Sequence, residues 1–122
     1  MFAGGVQSSS TNNVNVYDAL LTRLNSVQLS SARSGLAGTT LQNYALFGGS
    51  SYVDAFDSFL TRHLIEGLSV SRTGYSVTAI DDHALFAGGH NIISNVSSWY
   101  KTVDAYDTLL THTTAEDLSY AR

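Results

Sequence analysis

Val53-Asp-Ala-Phe-Asp-Ser-Phe-Leu-Thr-Arg62 has two close relatives in the same chain, Val14-Asn-Val-Tyr-Asp-Ala-Leu-Leu-Thr-Arg23 and Val103-Asp-Ala-Tyr-Asp-Thr-Leu-Leu-Thr-His112. The three align without gaps. Each is followed at a fixed distance by a second match: Leu29-Ser-Ser-Ala-Arg33, Leu68-Ser-Val-Ser-Arg72 and Leu118-Ser-Tyr-Ala-Arg122. Thr22 to Arg33, Thr61 to Arg72 and Thr111 to Arg122 all span eleven positions. A third series precedes them: Phe2-Ala-Gly-Gly5, Leu46-Phe-Gly-Gly49 and Leu85-Phe-Ala-Gly-Gly89. Three concordant series in 122 residues are not chance, and an internal repeat of this length decides the architecture before any local propensity does.

The repeat distance is 39 residues from Arg33 to Arg72 and 50 from Arg72 to Arg122. The variation falls between the Gly-Gly pair and the next Val. That gap holds eight residues in the first unit (6–13), three in the second (50–52) and thirteen in the third (90–102). One element of variable length on a fixed frame behaves as a surface loop.

Each complete unit reads as four short strands. Leu36-Ala-Gly-Thr-Thr-Leu41 and Tyr75-Ser-Val-Thr-Ala-Ile80 are rich in β-branched residues, with apolar positions spaced for one strand face. Tyr44-Ala-Leu-Phe47 and His83-Ala-Leu-Phe86 are compact apolar runs of the kind buried on both faces. Val53-Asp-Ala-Phe56 and its relatives alternate, and a fourth strand precedes each Arg. Asp18, Asp57 and Asp107 fall where the third strand must turn, and a short carboxylate there can accept backbone N–H bonds. Gln42-Asn43 and Asp81-Asp82 read as two-residue hairpin turns of type I′ or a relative, rather than as an acid/base pair. The glycines after the second strand (Gly4, Gly5, Gly48, Gly49, Gly88 and Gly89) allow positive φ or close backbone approach.

Four strands per unit of roughly 40–50 residues, ending in Gly-Gly, is the pattern of a β-propeller blade. The diglycine, the aromatic-Asp pairs (Tyr17-Asp18, Phe56-Asp57, Tyr106-Asp107) and the Arg near each unit's end resemble the kelch repeat. The resemblance covers essentially the whole chain. Kelch units usually carry a Trp about seven residues after the Tyr, where this chain has Leu24, His63 and Thr113, and the usual Pro is missing. The chain is similar to a Pro-free, Trp-poor bacterial variety of kelch-like repeat. The expected fold is therefore all-β: kelch-like blades of four antiparallel strands in one partial propeller spanning 1–122. Residues 2–33 form a first blade without its first strand, 34–72 a second blade and 73–122 a third. Propellers close with four to eight blades. The expectation is a homodimer whose two copies complete a ring of about six.

Composition narrows the function classes. Charged residues are 13% of the chain, about half the usual share, while Ser and Thr number 17 and 12. That disfavours a helical bundle, and the abundance of Tyr, Phe, Leu and Val disfavours disorder. A net charge of −4 with six scattered Lys and Arg gives no nucleic-acid footprint. No apolar run approaches the roughly 20 residues of a membrane span, and no signal peptide is visible. Localisation is left open beyond the expectation of a soluble protein. With no Cys there is neither a disulfide framework nor a thiolate metal site.

Candidate sites are few. Among the four His residues, His83 aligns with Tyr44 in a strand and reads as half-buried packing. His112 aligns with Arg23 and Arg62 and reads as an exposed turn residue, and His63 aligns with Leu24. No pair has metal-ligand spacing, so no metal or cofactor is expected. Asp54 and Asp104 read as solvated residues of a strand face. Arg33, Arg72 and Arg122 recur once per unit, which suits bonds to backbone carbonyls between blades better than contact with one substrate. The thirteen-residue insert carries the only Trp beside a Tyr. His90, Asn91, Asn95, Trp99 and Tyr100 are the candidate binding residues, since exposed aromatics with amide neighbours can anchor a protein or stack on a sugar. The competing reading has Trp99 and Tyr100 extending the third strand.

No nucleophile, acid and base cluster in the sequence, so catalysis is not expected. The resemblance implies a protein-interaction or structural module that assembles with itself, its partners being a second copy and another protein. A glycan-binding propeller is the alternative. A Met directly before a mid-strand Phe also fits a chain engineered or trimmed as a propeller fragment, for which no biological ligand need exist.

Overall fold

The computed structural model describes residues 2–3 and 9–122. The described residues form thirteen strands and no helix. Strands β1 (Phe2–Ala3), β2 (Asn13–Asn15) and β3 (Val27–Gln28) make the first sheet. The second consists of β4 (Ala37–Leu41), β5 (Tyr44–Gly49), β6 (Tyr52–Phe56) and β7 (Arg62–Leu64). The third consists of β8 (Ser76–Ile80), β9 (His83–Ala87), β12 (Val103–Asp107) and β13 (His112–Thr114). A separate hairpin, β10 (His90–Ile93) with β11 (Val96–Trp99), interrupts it between β9 and β12. All pairings are antiparallel, and each sheet runs strand after strand in chain order. The fold is thus all-β, with antiparallel four-stranded sheets arranged compatibly with propeller blades.

The turns follow from their residues. Asp18, Asp57 and Asp107 each accept two backbone N–H bonds on Oδ1, from Leu20 and Thr22, from Phe59 and Thr61, and from Leu109 and Thr111, at 2.9–3.0 Å. This clamp holds Leu21, Leu60 and Leu110 in the left-handed region, at φ of 63°, 64° and 61°. A β-strand hairpin at Leu41–Tyr44 turns through Gln42 and Asn43. Only Gln42, and Asp81 in the matching turn, has positive φ, so these turns carry the mark of type II′ rather than I′.

The pairing corrects the repeat alignment by one residue. Asn15 pairs with Phe2, as Asp54 pairs with Phe47 and Asp104 with Phe86. The Phe is therefore the common register mark, and Gly88 matches Gly49 while Gly89 belongs to the insert. Side chains alternate with period two, so a one-residue slip would turn every side chain to the wrong face. Gly4 and Gly5 lie outside the described residues.

The sheets stack face to face with two apolar layers between them. Val14 and Leu29 of the first unit meet Phe47 and Phe56 of the second. Leu46, Val53, Ala55 and Leu68 of the second meet Tyr75, Ala84, Phe86 and Tyr106 of the third. Aromatic pairs are edge-on, Phe47 to Phe56 at 6.2 Å and Phe86 to Tyr106 at 5.6 Å. In β6 the even and odd positions serve opposite layers: Val53 and Ala55 point to the third sheet, Asp54 and Phe56 to the first. A strand read as alternating is buried on both faces because a sheet lies on each side.

Candidate functional site

Two features stand out: a charged clasp at each sheet junction, and the inserted hairpin. The clasp begins with the alternation just described. Because Asp54 and Phe56 share a face, the carboxylate is carried into the layer between the first two sheets. Arg33, whose amide donates to the Thr11 carbonyl in the segment leading into β2, forms an ion pair there with Asp54. The Ser30 amide and hydroxyl also bond Asp54, at 3.2 and 3.1 Å. The second junction repeats the first. Arg72 Nη2 lies 2.7 Å from Asp104 Oδ2 and donates to the Phe86 carbonyl at 2.9 Å, while the Ser69 amide donates to Asp104 Oδ1 at 3.0 Å. His112 Nε2 adds a contact to Asp104 Oδ1 at 2.7 Å.

These contacts correct three sequence expectations. Asp54 and Asp104 are not solvated but buried, because a second sheet covers the face they share with the aromatics. His112 is not an exposed turn residue: it is on β13 and packs on Tyr106. His83, expected to be half-buried, is exposed at the start of β9. Arg72 does reach a backbone carbonyl of the next unit at Phe86, whereas Arg33 bonds the Ser31 carbonyl of its own unit, and the carboxylate is the partner the two share. The sequence signal for the clasp was present, since Asp54 and Asp104 stand two residues before Phe56 and Tyr106, with Asn15 in that place before Tyr17, and recur together with the Arg at each unit's end. Burial pushes the Asp104 carboxyl up, but bonds from His112, Ser69 and Arg72 outweigh it and hold it below the ordinary value. Asp57 is also lowered, chiefly by its bond from His63 at 2.8 Å. Burial raises the Tyr75 and Tyr106 hydroxyls.

Gly48 is required by the same packing. A Cβ there would come within 2.6 Å of Phe86 and 2.7 Å of the Tyr75 hydroxyl. Gly88 has φ +72°, and its Cβ would meet the Arg122 carbonyl at 2.1 Å.

The insert is a hairpin rather than a loop, and it does not extend the third strand. Ser94 and Asn95 both have positive φ, 50° and 63°, which makes a type I′ turn between Ile93 and Val96. Of the five candidate residues the hairpin brings only His90 and Trp99 together, with ring centroids 4.8 Å apart. Asn91 lies on the opposite face, and its Oδ1 accepts the Ile92 amide at 2.8 Å. Asn95 is in the turn at the far end. Tyr100 is outside the hairpin, its amide bonded to the Gly89 carbonyl and its carbonyl to the Arg122 amide. What the hairpin exposes is apolar: Ile92, Ile93, Val96 and Trp99 are 58–65% exposed.

On the outer sheet faces several counterparts of buried junction residues are exposed. Leu41 is 1% exposed, whereas its counterpart Ile80 in the third sheet is 58% exposed. Phe56 and Tyr106 are buried, whereas Tyr17 is 41% exposed. Arg122 is exposed. A cleft of about 920 Å³ lies against the first-sheet side of the second sheet, lined by Leu36, Thr39, Tyr44, Phe47 and Phe56. Among the described residues the first sheet has no strand in the place that β4 and β8 fill in the others. No three His, Asp or Glu side chains converge for a metal among the described residues, and no helix there is long and apolar enough to cross a membrane. No protein-family model and no curated protein matches the chain.

Proposed function

We propose that the chain is a non-catalytic, kelch-like propeller module that closes into a ring with a second copy and presents the β10–β11 hairpin to a protein partner. The observation that supports it is the repeated junction. Each junction joins a forward-facing set (Arg, Ser, Leu, Val) to a backward-facing set (Asp and two aromatics). The third sheet carries a further forward set, exposed Arg122 and Ser119 with half-buried Leu118 beside the already buried Val103, and the first carries a backward one at Asn15 and Tyr17. All junctions point the same way, so the open forward face of one copy fits the open backward face of another. Two copies then give two equivalent seams.

The hairpin's exposed Ile and Val residues suit a protein surface better than a sugar's hydroxyls, so the glycan-binding alternative has the weaker support. Linkage tests the reading. Subunit association stabilises only the folded state, so the thermal midpoint rises with protein concentration. The expected rise across a hundredfold concentration range is several degrees. A midpoint independent of concentration would remove self-association from the function.

A further inference from the structure

We infer that Asn15 is the residue that sets the strength of the seam between two copies, where it receives Arg122 and Ser119 of the second copy. This rests on the ring reading above and asks what distinguishes the seam from the two internal junctions. Asn15 pairs with Phe2 as Asp54 pairs with Phe47 and Asp104 with Phe86, so it occupies the acceptor's place in the clasp. Its side chain is half-buried on the outward face of β2. Arg122 and Ser119 hold the places of Arg72 and Ser69. Among the described residues no ion pair involves the Arg122 side chain.

Chemistry separates the three junctions. Asp54 neutralises Arg33 and has Arg62 Nε at 4.0 Å as well. Asp104 neutralises Arg72 and binds His112. At the seam the residues in these places are Arg122 of one copy, and Asn15 with Arg23 of the other. An amide oxygen can accept from Arg122 or from the Ser119 amide, but it carries no charge, and its NH₂ group turns two donors toward a cation. A charge-assisted bond is about twice as strong as a neutral one. The seam is therefore the weakest of the junctions, and the ring opens there while each copy stays folded. The partner is a second copy of this chain, selected by the forward set of its third sheet.

The test is the dimer dissociation constant, read by sedimentation over a dilution series for the wild type, Asn15→Asp, Arg122→Ala, the double variant, and Asn13→Asp as a control for added charge on the exposed neighbour. Asn15→Asp is expected to tighten the dimer about a hundredfold, tenfold for each of its two seams, the size of one charge-assisted replacement. Arg122→Ala is expected to weaken the wild-type dimer several-fold and to erase the gain in the double variant, and Asn13→Asp to change little. If the wild type dimerises and neither Asn15→Asp nor Arg122→Ala moves the constant, the seam assignment fails while the ring reading stands. If Asn15→Asp dimerises and the wild type does not, the assignment holds and the ring reading fails for the native chain. If every variant stays monomeric and folded, both fail.

Discussion

Asp104 and Arg72 are fully buried, and their energetics follow from that burial. Removing one partner leaves an uncompensated charge in the layer between sheets, at a cost of about 3–5 kcal/mol. Arg72→Ala should lower stability by that amount in a denaturant titration. Lys101→Ala, which breaks an exposed pair with Asp117, should change it by less than about 0.5 kcal/mol. Acid acts on the same clasp. The folded-state pKa of Asp104 is depressed, so the unfolded chain takes up its proton first as pH falls. Its contribution is fully present above the ordinary carboxylate value of about 4 and is lost as pH drops through the lower folded value. Denaturant midpoints between pH 6 and 2 should fall in that acid window, and Asp104→Asn should be less stable at neutral pH with a flatter acid limb. An unchanged slope would show that Asp104 is not held as the geometry indicates. Gly48→Val should prevent folding or cost several kcal/mol, because its Cβ meets two buried aromatic side chains rather than solvent. A Gly48→Val protein of near-native stability would contradict the packing of Phe86.

At the scale of elements, the hairpin is dispensable to the frame that carries it. The second unit runs from Gly49 directly through Ser50, whereas the third inserts eleven residues, 89–99, before Tyr100. Deleting them should leave the far-ultraviolet circular dichroism unchanged and stability within about 1 kcal/mol, apart from the lost backbone contacts of His90 with Thr73. Loss of the fold would show that the third sheet depends on the hairpin. The strands of the sheets themselves were readable in the sequence, because the repeat marks four per complete unit and the alternation in Val53–Phe56 marks which side chains share a face. The Asp18, Asp57 and Asp107 turns were readable too, since an Asx clamp is a local device. Three things were not. The diglycine misled the register, because inter-strand pairing rather than spacing decides it. The hairpin was hidden because β10 and β11 stay mostly exposed and so lack alternation. Asp54 and Asp104 were placed in solvent, because burial by a neighbouring sheet is a tertiary fact that no window of sequence contains.

At the scale of the whole molecule, the account turns on whether the outer faces find partners. Each internal junction buries a full set of apolar side chains, whereas Ile80 of the third sheet is 58% exposed and Tyr17 of the first 41%. Apolar area is worth about 25 cal/mol per Å² when covered, against a total stability of only about 5–15 kcal/mol for a domain. Covering two such faces in a closed pair therefore favours the dimer over two separate folded copies. The most direct measurement is the solution mass by light scattering at tens of micromolar, paired with circular dichroism on the same sample. The account predicts about 26 kDa, twice the 13.1 kDa of the chain, with β-structure throughout. A folded species of 13.1 kDa at that concentration would contradict it.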